Sequence, residues 1–247
     1  METLPRLRYD QALLASLAED TEDAPWMVAP EFQLQIIKLL MSILDEHIRR
    51  LGLLWHVSSD VWIIAPWPNA QGFFRAAPDL FIVEADARRR VSWHVDREGT
   101  APPFVLEIVT EDSQTRDLEE KVVIYDQMGV REYAIFIPEE VAGGSRLLGY
   151  RRHTTGAFVS WEPDAQGRLE SRELGGLRFY AAEGSWLRLM DRDGRILPTE
   201  AEEGARQKER ANREAARAEQ EAARAETAER ELARLRALLA ADPAQPE

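Results

Sequence analysis

Three short apolar runs and one helix between residues 77 and 138 decide the fold. The runs are PDLFIV at 78–83, PFVLEIV at 103–109 and EYAIFI at 132–137, and a helical pattern at 116–128 separates the second run from the third. Runs of this length, bounded by Pro and Gly, are typical of buried strands. The order strand, helix, strand predicts a parallel pair with a right-handed crossover.

One of these strands carries a charge. Glu107 has apolar residues on both sides, and a lone carboxylate in a buried strand costs several kcal/mol unless a cation or a donor meets it. Asp79 begins the neighbouring strand. Lys121 lies on the helix, inside the arc of its core residues at about 100° per residue. These two are the obvious partners of Glu107, and a metal-dependent active site explains why they converge.

Each residue also has a purely structural interpretation. Asp79 can be a turn residue after proline, and Glu107 can lie on an uncovered sheet face. Lys121 can form a surface pair with Asp117, worth only about 0.3–0.5 kcal/mol. The three residues taken together favour a site.

The chain before this stretch predicts a core-forming helix at 30–51, which Gly52 ends in a left-handed conformation. Residues 53–57 and 60–65 predict two strands of a hairpin, joined by a Ser-Ser turn. Residues 1–29 are an N-terminal segment with weak patterning.

The chain after residue 138 changes character. Short alternating strands predict an antiparallel extension that ends near residue 198. Residues 199–241 are rich in Ala, Glu and Arg and predict a coiled-coil helix, followed by a disordered tail at 242–247. An Ala-rich seam is poorly buried in a single helix, so we expect a homo-oligomer. The seam positions are Ala211, Ala215, Ala218, Ala222 and Ala225, continued after a phase slip by Ala228, Leu232, Leu235 and Leu239.

The composition limits the function. The 247 residues include no cysteine, which excludes disulfides and thiolate metal sites and fits a reducing compartment. The net charge of −13 argues against electrostatic binding of nucleic acid over a large part of the surface. DNA binding therefore requires a local basic strip or divalent cations. The chain has no signal-peptide pattern and no run that could span a bilayer, and we expect a cytoplasmic protein with no membrane partner.

The ordered set of motifs resembles the PD-(D/E)XK nuclease superfamily, and more closely the Uma-two family of restriction endonucleases. The resemblance covers about residues 30–240, and its specific part runs from 79 to 133. It implies an α/β (α+β) fold, in which a mixed sheet flanked by helices forms a nuclease domain at 30–198, with antiparallel strands and a C-terminal coiled-coil helix. The residues that carry it are Pro78, Asp79, Glu107, Arg116, Asp117, Lys121, Tyr125 and the GVREY run at 129–133.

The resemblance implies hydrolysis of a DNA phosphodiester with Mg²⁺ or Mn²⁺. Asp79, Glu107 and the main-chain carbonyl of Ile108 would bind the ion through oxygen. Lys121 would position the attacking water or stabilise the transition state, which makes Asp79, Glu107 and Lys121 the catalytic residues. The superfamily's lysine usually follows the acidic residue by two positions. That position is Val109 here, so the role is displaced to Lys121.

The family's first helix usually offers Glu or His to the metal. Here Glu31, Gln33 and Gln35 are the candidates, and Asp117 is a further accessory residue. If none of them reaches the ion, metal affinity falls. The alternative function is then an inactive module of the same fold that binds partners or assembles through its coiled coil.

Overall fold

A computed structural model describes residues 29–67, 72–86 and 88–241, with side chains described as far as residue 237. The chain forms two compact units, one ending at Thr199 and one beginning at Glu200. The predicted N-terminal segment at 1–29, except its last residue, and the predicted tail at 242–247 lie outside the described residues.

The first unit combines strands with short helices, and the second unit is one long helix. The strands are β1 (Trp55–Ser58), β2 (Trp62–Pro66), β3 (Phe73–Ala76), β4 (Leu80–Glu84), β5 (Ser92–His94), β6 (Phe104–Ile108), β7 (Glu132–Ile137), β8 (Arg146–Arg152), β9 (Phe158–Ser160), β10 (Leu169–Glu170), β11 (Arg178–Ala182) and β12 (Trp186–Met190). The helices are α1 (Glu31–Leu51), α2 (Val95–Glu98), α3 (Lys121–Met128, directly after a π-helical turn at Arg116–Glu120), α4 (Glu139–Ala142) and α5 (Glu200–Ala241).

A six-stranded mixed sheet forms the centre of the first unit, in the order β1-β4-β6-β7-β8-β9. Its one parallel pair is β6 with β7, where Glu107 lies opposite Ile135, and its other pairs are antiparallel. The parallel pair is joined through α3, as the strand-helix-strand order predicts. The expected mixed α/β fold is therefore confirmed.

The two faces of this sheet are buried under different helices. Because successive side chains of a strand alternate between faces, Phe104 and Leu106 pack with α1, whereas Val105 and Val109 pack with α3. Glu107 has the parity of the second pair, so its side chain belongs to the α3 face. Asp79 directly precedes β4 and lies two residues before Phe81. Its side chain therefore belongs to the face of Phe81, which is also covered by α3.

The predicted hairpin of residues 53–57 and 60–65 is wrong. β1 pairs with β4 at the edge of the central sheet, whereas β2 lies between β3 and β5 in a separate three-stranded sheet. The chain leaves the first sheet at Asp60, which has a positive φ of 53° and donates its main-chain N–H to the Pro78 carbonyl. A third sheet, β10-β11-β12, packs its apolar side chains against the α1 face.

Helix α5 contains 42 residues and is about 63 Å long at about 1.5 Å per residue. From Gly204 to residue 237 its side chains are exposed. Among the helices of the described residues, none combines the length and the apolar character needed to cross a membrane.

Candidate metal and phosphodiester site

Asp79, directly before β4, links this strand to β6 and α1 through its side chain. Its Oδ2 accepts a hydrogen bond from the main-chain N–H of Ile108 at 2.6 Å, and its Oδ1 accepts one from the side-chain amide of Gln33 at 2.7 Å. Burial raises the pKa of the Asp79 carboxyl, an effect that the charge of Lys121 partly offsets. The carboxylate is thus fixed to both β6 and α1, which a simple turn residue would not require.

Pro78 leaves the Ile108 carbonyl without a main-chain partner from β4. The antiparallel register of β4 and β6, extended by two residues, places Pro78 opposite Ile108. Proline has no N–H to donate. The Ile108 carbonyl instead faces the side-chain nitrogen of Gln33 at 3.4 Å. A main-chain oxygen is therefore available at the end of the ladder, beside Asp79.

Glu107 is 1% exposed and is met by three donors. Its Oε1 accepts a hydrogen bond from the Tyr125 hydroxyl at 2.5 Å and lies 2.9 Å from the Lys121 ammonium. Its Oε2 accepts the main-chain N–H of Asp79 at 3.3 Å. Burial raises the pKa of Glu107 to about 8, and the neighbouring acids Asp79 and Asp117 add to the effect, while Lys121 opposes it.

Lys121 lies between two buried carboxylates. Its Nζ is 2.9 Å from Glu107 Oε1 and 2.8 Å from Asp117 Oδ1. The other oxygen of Asp117 accepts a hydrogen bond from the Ser113 hydroxyl. Burial alone would lower the pKa of Lys121, but the two carboxylates raise it above its usual value, so the lysine is charged. A surface pair with Asp117 is therefore the wrong interpretation, because Asp117 is only 1% exposed.

The π-helical turn before α3 aligns three side chains toward this site. The N–H of Lys121 bonds the carbonyl of Arg116, five residues earlier, instead of the usual four. In a regular α-helix, residues four apart drift by about 40°, so residues eight apart drift by about 80°. The wider turn offsets this drift, and Asp117, Lys121 and Tyr125 all contact the Glu107 cluster or its cation.

Two tyrosines donate hydrogen bonds to the cluster, and neither has a role that the sequence predicts. Tyr125 donates to Glu107, while Tyr133 donates to the main-chain carbonyl of Asp117 at 2.9 Å. Burial, reinforced by the charge of Glu107, raises the pKa of both phenols well above the usual value, so both remain donors. A tyrosine in a fully buried strand is itself a signal, because its hydroxyl needs a partner.

Of the three candidates on α1, only Gln33 reaches the site. Glu31 and Gln35 hydrogen bond to each other at 2.9 Å on the exposed side of the helix. Gln33 is buried and its amide nitrogen lies against both Asp79 Oδ1 and the Ile108 carbonyl. A rotation of this amide would turn its oxygen toward the same point.

The donor set fits a small divalent cation that prefers oxygen. The carboxylate of Asp79 and the carbonyl of Ile108 converge on one atom, Gln33 Nε2, and the Glu107 carboxylate is adjacent. Three acids surround a single lysine, so the ionised cluster carries a surplus of two negative charges, which the raised pKa values of Asp79 and Glu107 reflect. Across the described residues, no three His, Cys, Asp or Glu side chains form a ready-made metal cage. Magnesium commonly uses one or two carboxylates and completes its shell with water.

Comparison with known proteins matches this chain to a family model and to solved structures. A crystal structure described as a "putative nuclease" of DUF820 from Anabaena variabilis matches with 12% identity, 56% of this chain and 72% of that chain covered, and a TM-score of 0.40. No curated protein matches. The family model named Uma2 and described as "Putative restriction endonuclease" matches residues 25–174, which include Asp79, Glu107 and Lys121. The chain belongs to the Uma2 family.

Proposed function

We propose that this protein is a metal-dependent endonuclease that hydrolyses DNA phosphodiester bonds at the Asp79–Glu107–Lys121 cluster. The observation that carries the proposal is a charged lysine held between buried carboxylates, next to two further oxygens that converge on one point. Membership of the Uma2 family supports the same reaction class.

Asp79, Glu107 and the Ile108 carbonyl would hold Mg²⁺ or Mn²⁺. When bound, such an ion polarises the phosphate and makes a bound water more acidic. The chain's own contribution is to fix these oxygens before substrate arrives: Asp79 through the Ile108 N–H, and Glu107 through the Tyr125 hydroxyl. Tyr125 is thus a positioning residue for Glu107.

Lys121 would donate to a phosphate oxygen or orient the attacking water. Its ammonium has three N–H groups, and two of them face Glu107 and Asp117. The third can donate to the substrate, where a positive charge stabilises the developing negative charge. Asp117, which accepts a hydrogen bond from Ser113, would keep the ammonium in place when Glu107 binds the ion.

The direct test is cleavage of supercoiled, linear and single-stranded DNA with Mg²⁺, Mn²⁺ or EDTA. We expect cleavage with either ion and none with EDTA. The absence of cleavage on all substrates, despite metal binding, would contradict the proposal.

An inactive binding module is the second candidate, and Gln33 is the observation that favours it. An amide nitrogen, a donor, occupies the point on which Asp79 and the Ile108 carbonyl converge. A module that has lost its metal site should show no change in melting temperature with Mg²⁺ or Mn²⁺, whereas a binding site stabilises the folded state by mass action.

The affinity for Mn²⁺ should increase with pH between about 6 and 8. The pKa of Glu107 is raised to about 8, so below this pH the carboxyl carries a proton that the ion must displace. The apparent dissociation constant should fall by up to about tenfold per pH unit in this range and level off above it. Titration calorimetry in buffers of different ionisation heat should detect the released proton at pH 7. An affinity independent of pH, with no proton released, would contradict the assignment of Glu107 as a ligand.

Gln33→Glu should tighten Mn²⁺ binding by about tenfold, or about 1.4 kcal/mol. The new carboxylate would face Asp79 Oδ1. It would be a third acidic ligand when the ion is bound, and it would repel the Asp79 carboxylate when the ion is absent. The melting shift produced by Mn²⁺ should therefore exceed that of the wild type. Gln35→Glu is the matched control, because it adds the same charge on the exposed side of α1. Equal affinities of the two variants would exclude Gln33 from the metal site.

A further inference from the structure

Helix α5 has an exposed apolar seam that no described part of its own unit covers. The helix is a unit of its own, and its side chains from Gly204 to residue 237 are exposed. Leu232 and Leu235 are each 51% exposed, which is costly for leucines only three residues apart on one helix face. The ion pairs described within the helix lie off the seam, and two of them, Arg210–Glu203 and Arg234–Glu231, involve acids that flank it.

The seam follows a seven-residue repeat. Taking Ala211 as position a places Ala218, Ala225, Leu232 and Leu239 at a in the following heptads, whereas the seam residues Ala215 and Ala222 fall at e. The d positions are Glu214 and Glu221 in the first half, then Ala228 and Leu235. From residue 225 to residue 239 every a and d position is therefore Ala or Leu, and this half can form the apolar core of a two-stranded coiled coil.

The flanking charges are complementary to a second copy of the same helix. In a parallel pair in register, position g of one chain faces position e of the next heptad of the other. This rule brings Arg224 opposite Glu229 of the second copy, and Glu231 opposite Arg236. Near the start of the helix it also brings Glu203, which contacts Arg210 of its own helix at 3.1 Å, opposite Lys208. Each of these pairs is attractive and occurs twice in a dimer.

We propose that α5 pairs with α5 of a second copy of this chain as a parallel coiled coil in register, with residues 224–239 as its most stable part. An antiparallel pair centred on the Leu layers at 232–239 would overlap only from about residue 230 onward, because the described helix ends at Ala241. The parallel arrangement adds the Ala211 and Ala218 layers, although the Glu layers at 214 and 221 oppose pairing in that half and leave residues 224–239 as the stable part. This pairing does not depend on the chemistry of the Asp79 cluster.

Single cysteines in the full-length protein test the arrangement, because the native chain has none. Ala218→Cys places the thiol at position a, where the two copies of residue 218 meet only in the parallel register. Ala223→Cys is the matched control at position f, on the opposite side of the helix. Under oxidising conditions we expect a disulfide-linked dimer from Ala218→Cys and little from Ala223→Cys, together with a dimer mass for the unmodified protein by light scattering. A monomer mass, or equal crosslinking of the two variants, would overturn the proposal.

Charge reversal tests the register independently of the thiols. Arg224→Glu and Glu229→Arg each place like charges opposite each other twice per dimer, and each should weaken dimerisation about five- to tenfold at low salt. The double variant restores opposite charges and should recover the wild-type dissociation constant. Additive weakening in the double variant would overturn the proposed pairing.

Discussion

Asparagine in place of Asp79 is expected to lower the rate of metal-dependent DNA cleavage by at least about 10³-fold, or about 4 kcal/mol. Asparagine has nearly the same size, and its side-chain oxygen can still accept the N–H of Ile108, so the junction of β4 and β6 is retained. What the substitution removes is the negative charge that a divalent cation needs. Cleavage of supercoiled DNA in Mn²⁺ is the measurement.

The control for Asp79→Asn is Asp193→Asn, the same chemical change at an exposed carboxylate in the turn after β12. It should cleave like the wild type. Circular dichroism and melting should show that both variants are folded. Cleavage by Asp79→Asn at a rate within about tenfold of the wild type would exclude this carboxylate as a metal ligand.

Methionine in place of Lys121 is expected to lower the free energy of unfolding by about 3–5 kcal/mol in the absence of metal. The side chain of Lys121 is only 10% exposed, and it is the cation shared by Glu107 and Asp117. Its removal leaves the buried Asp117 carboxylate without a counter-charge and deprives the buried Glu107 carboxyl of one of its donors. Chemical denaturation at pH 7.5 measures the loss, and Lys38→Met, on the exposed side of α1, should change stability by less than about 0.5 kcal/mol.

The loss in Lys121→Met should increase with pH. A carboxyl whose pKa is raised in the folded state stabilises the protein fully only below its unfolded pKa, and that contribution disappears as the pH rises through the folded value. The pKa of Glu107 is already raised to about 8, and without Lys121 it rises further. The Glu107 carboxyl is protonated in both proteins well below pH 8, so the difference between variant and wild type should be smaller near pH 7 than near pH 9.5. A loss that does not change over this range would contradict the ion pair as its origin.

The relation between Asp79, Glu107 and the helix could be predicted because strand alternation and helical rotation are short-range rules. The alternating direction of side chains along a strand places Glu107 on one face, and the periodicity of α3 directs Lys121 toward it. The π-helical turn at Arg116–Glu120 could not be predicted in the same way. It adds one residue to a single turn and leaves no periodic signature in the sequence.

The helical periodicity of α1 is sufficient to distinguish Gln33 from Glu31 and Gln35. Gln33 precedes Ile36 and Ile37 by three and four positions, which places it on the buried face of α1, whereas Gln35 and Glu31 lie off that face. The pairing of β1 and β2 with different sheets could not be predicted from the sequence. Both strands are short, and their partners β4, β3 and β5 lie at distances along the chain that local patterns do not report.

The oxygen at Ile108 has a consequence for how the site tolerates substitution. The oxygen that would bind the ion belongs to the main chain. Ile108 can therefore be replaced by Val or Leu without altering the chemistry, provided that the core stays filled. The adjacent constraint instead falls on Pro78, a residue with no functional group. Any other amino acid there would supply an N–H opposite Ile108 and could close the β ladder over the oxygen. Pro78 has no reactive group, yet we expect substitution there to disturb the site more than substitution at position 108.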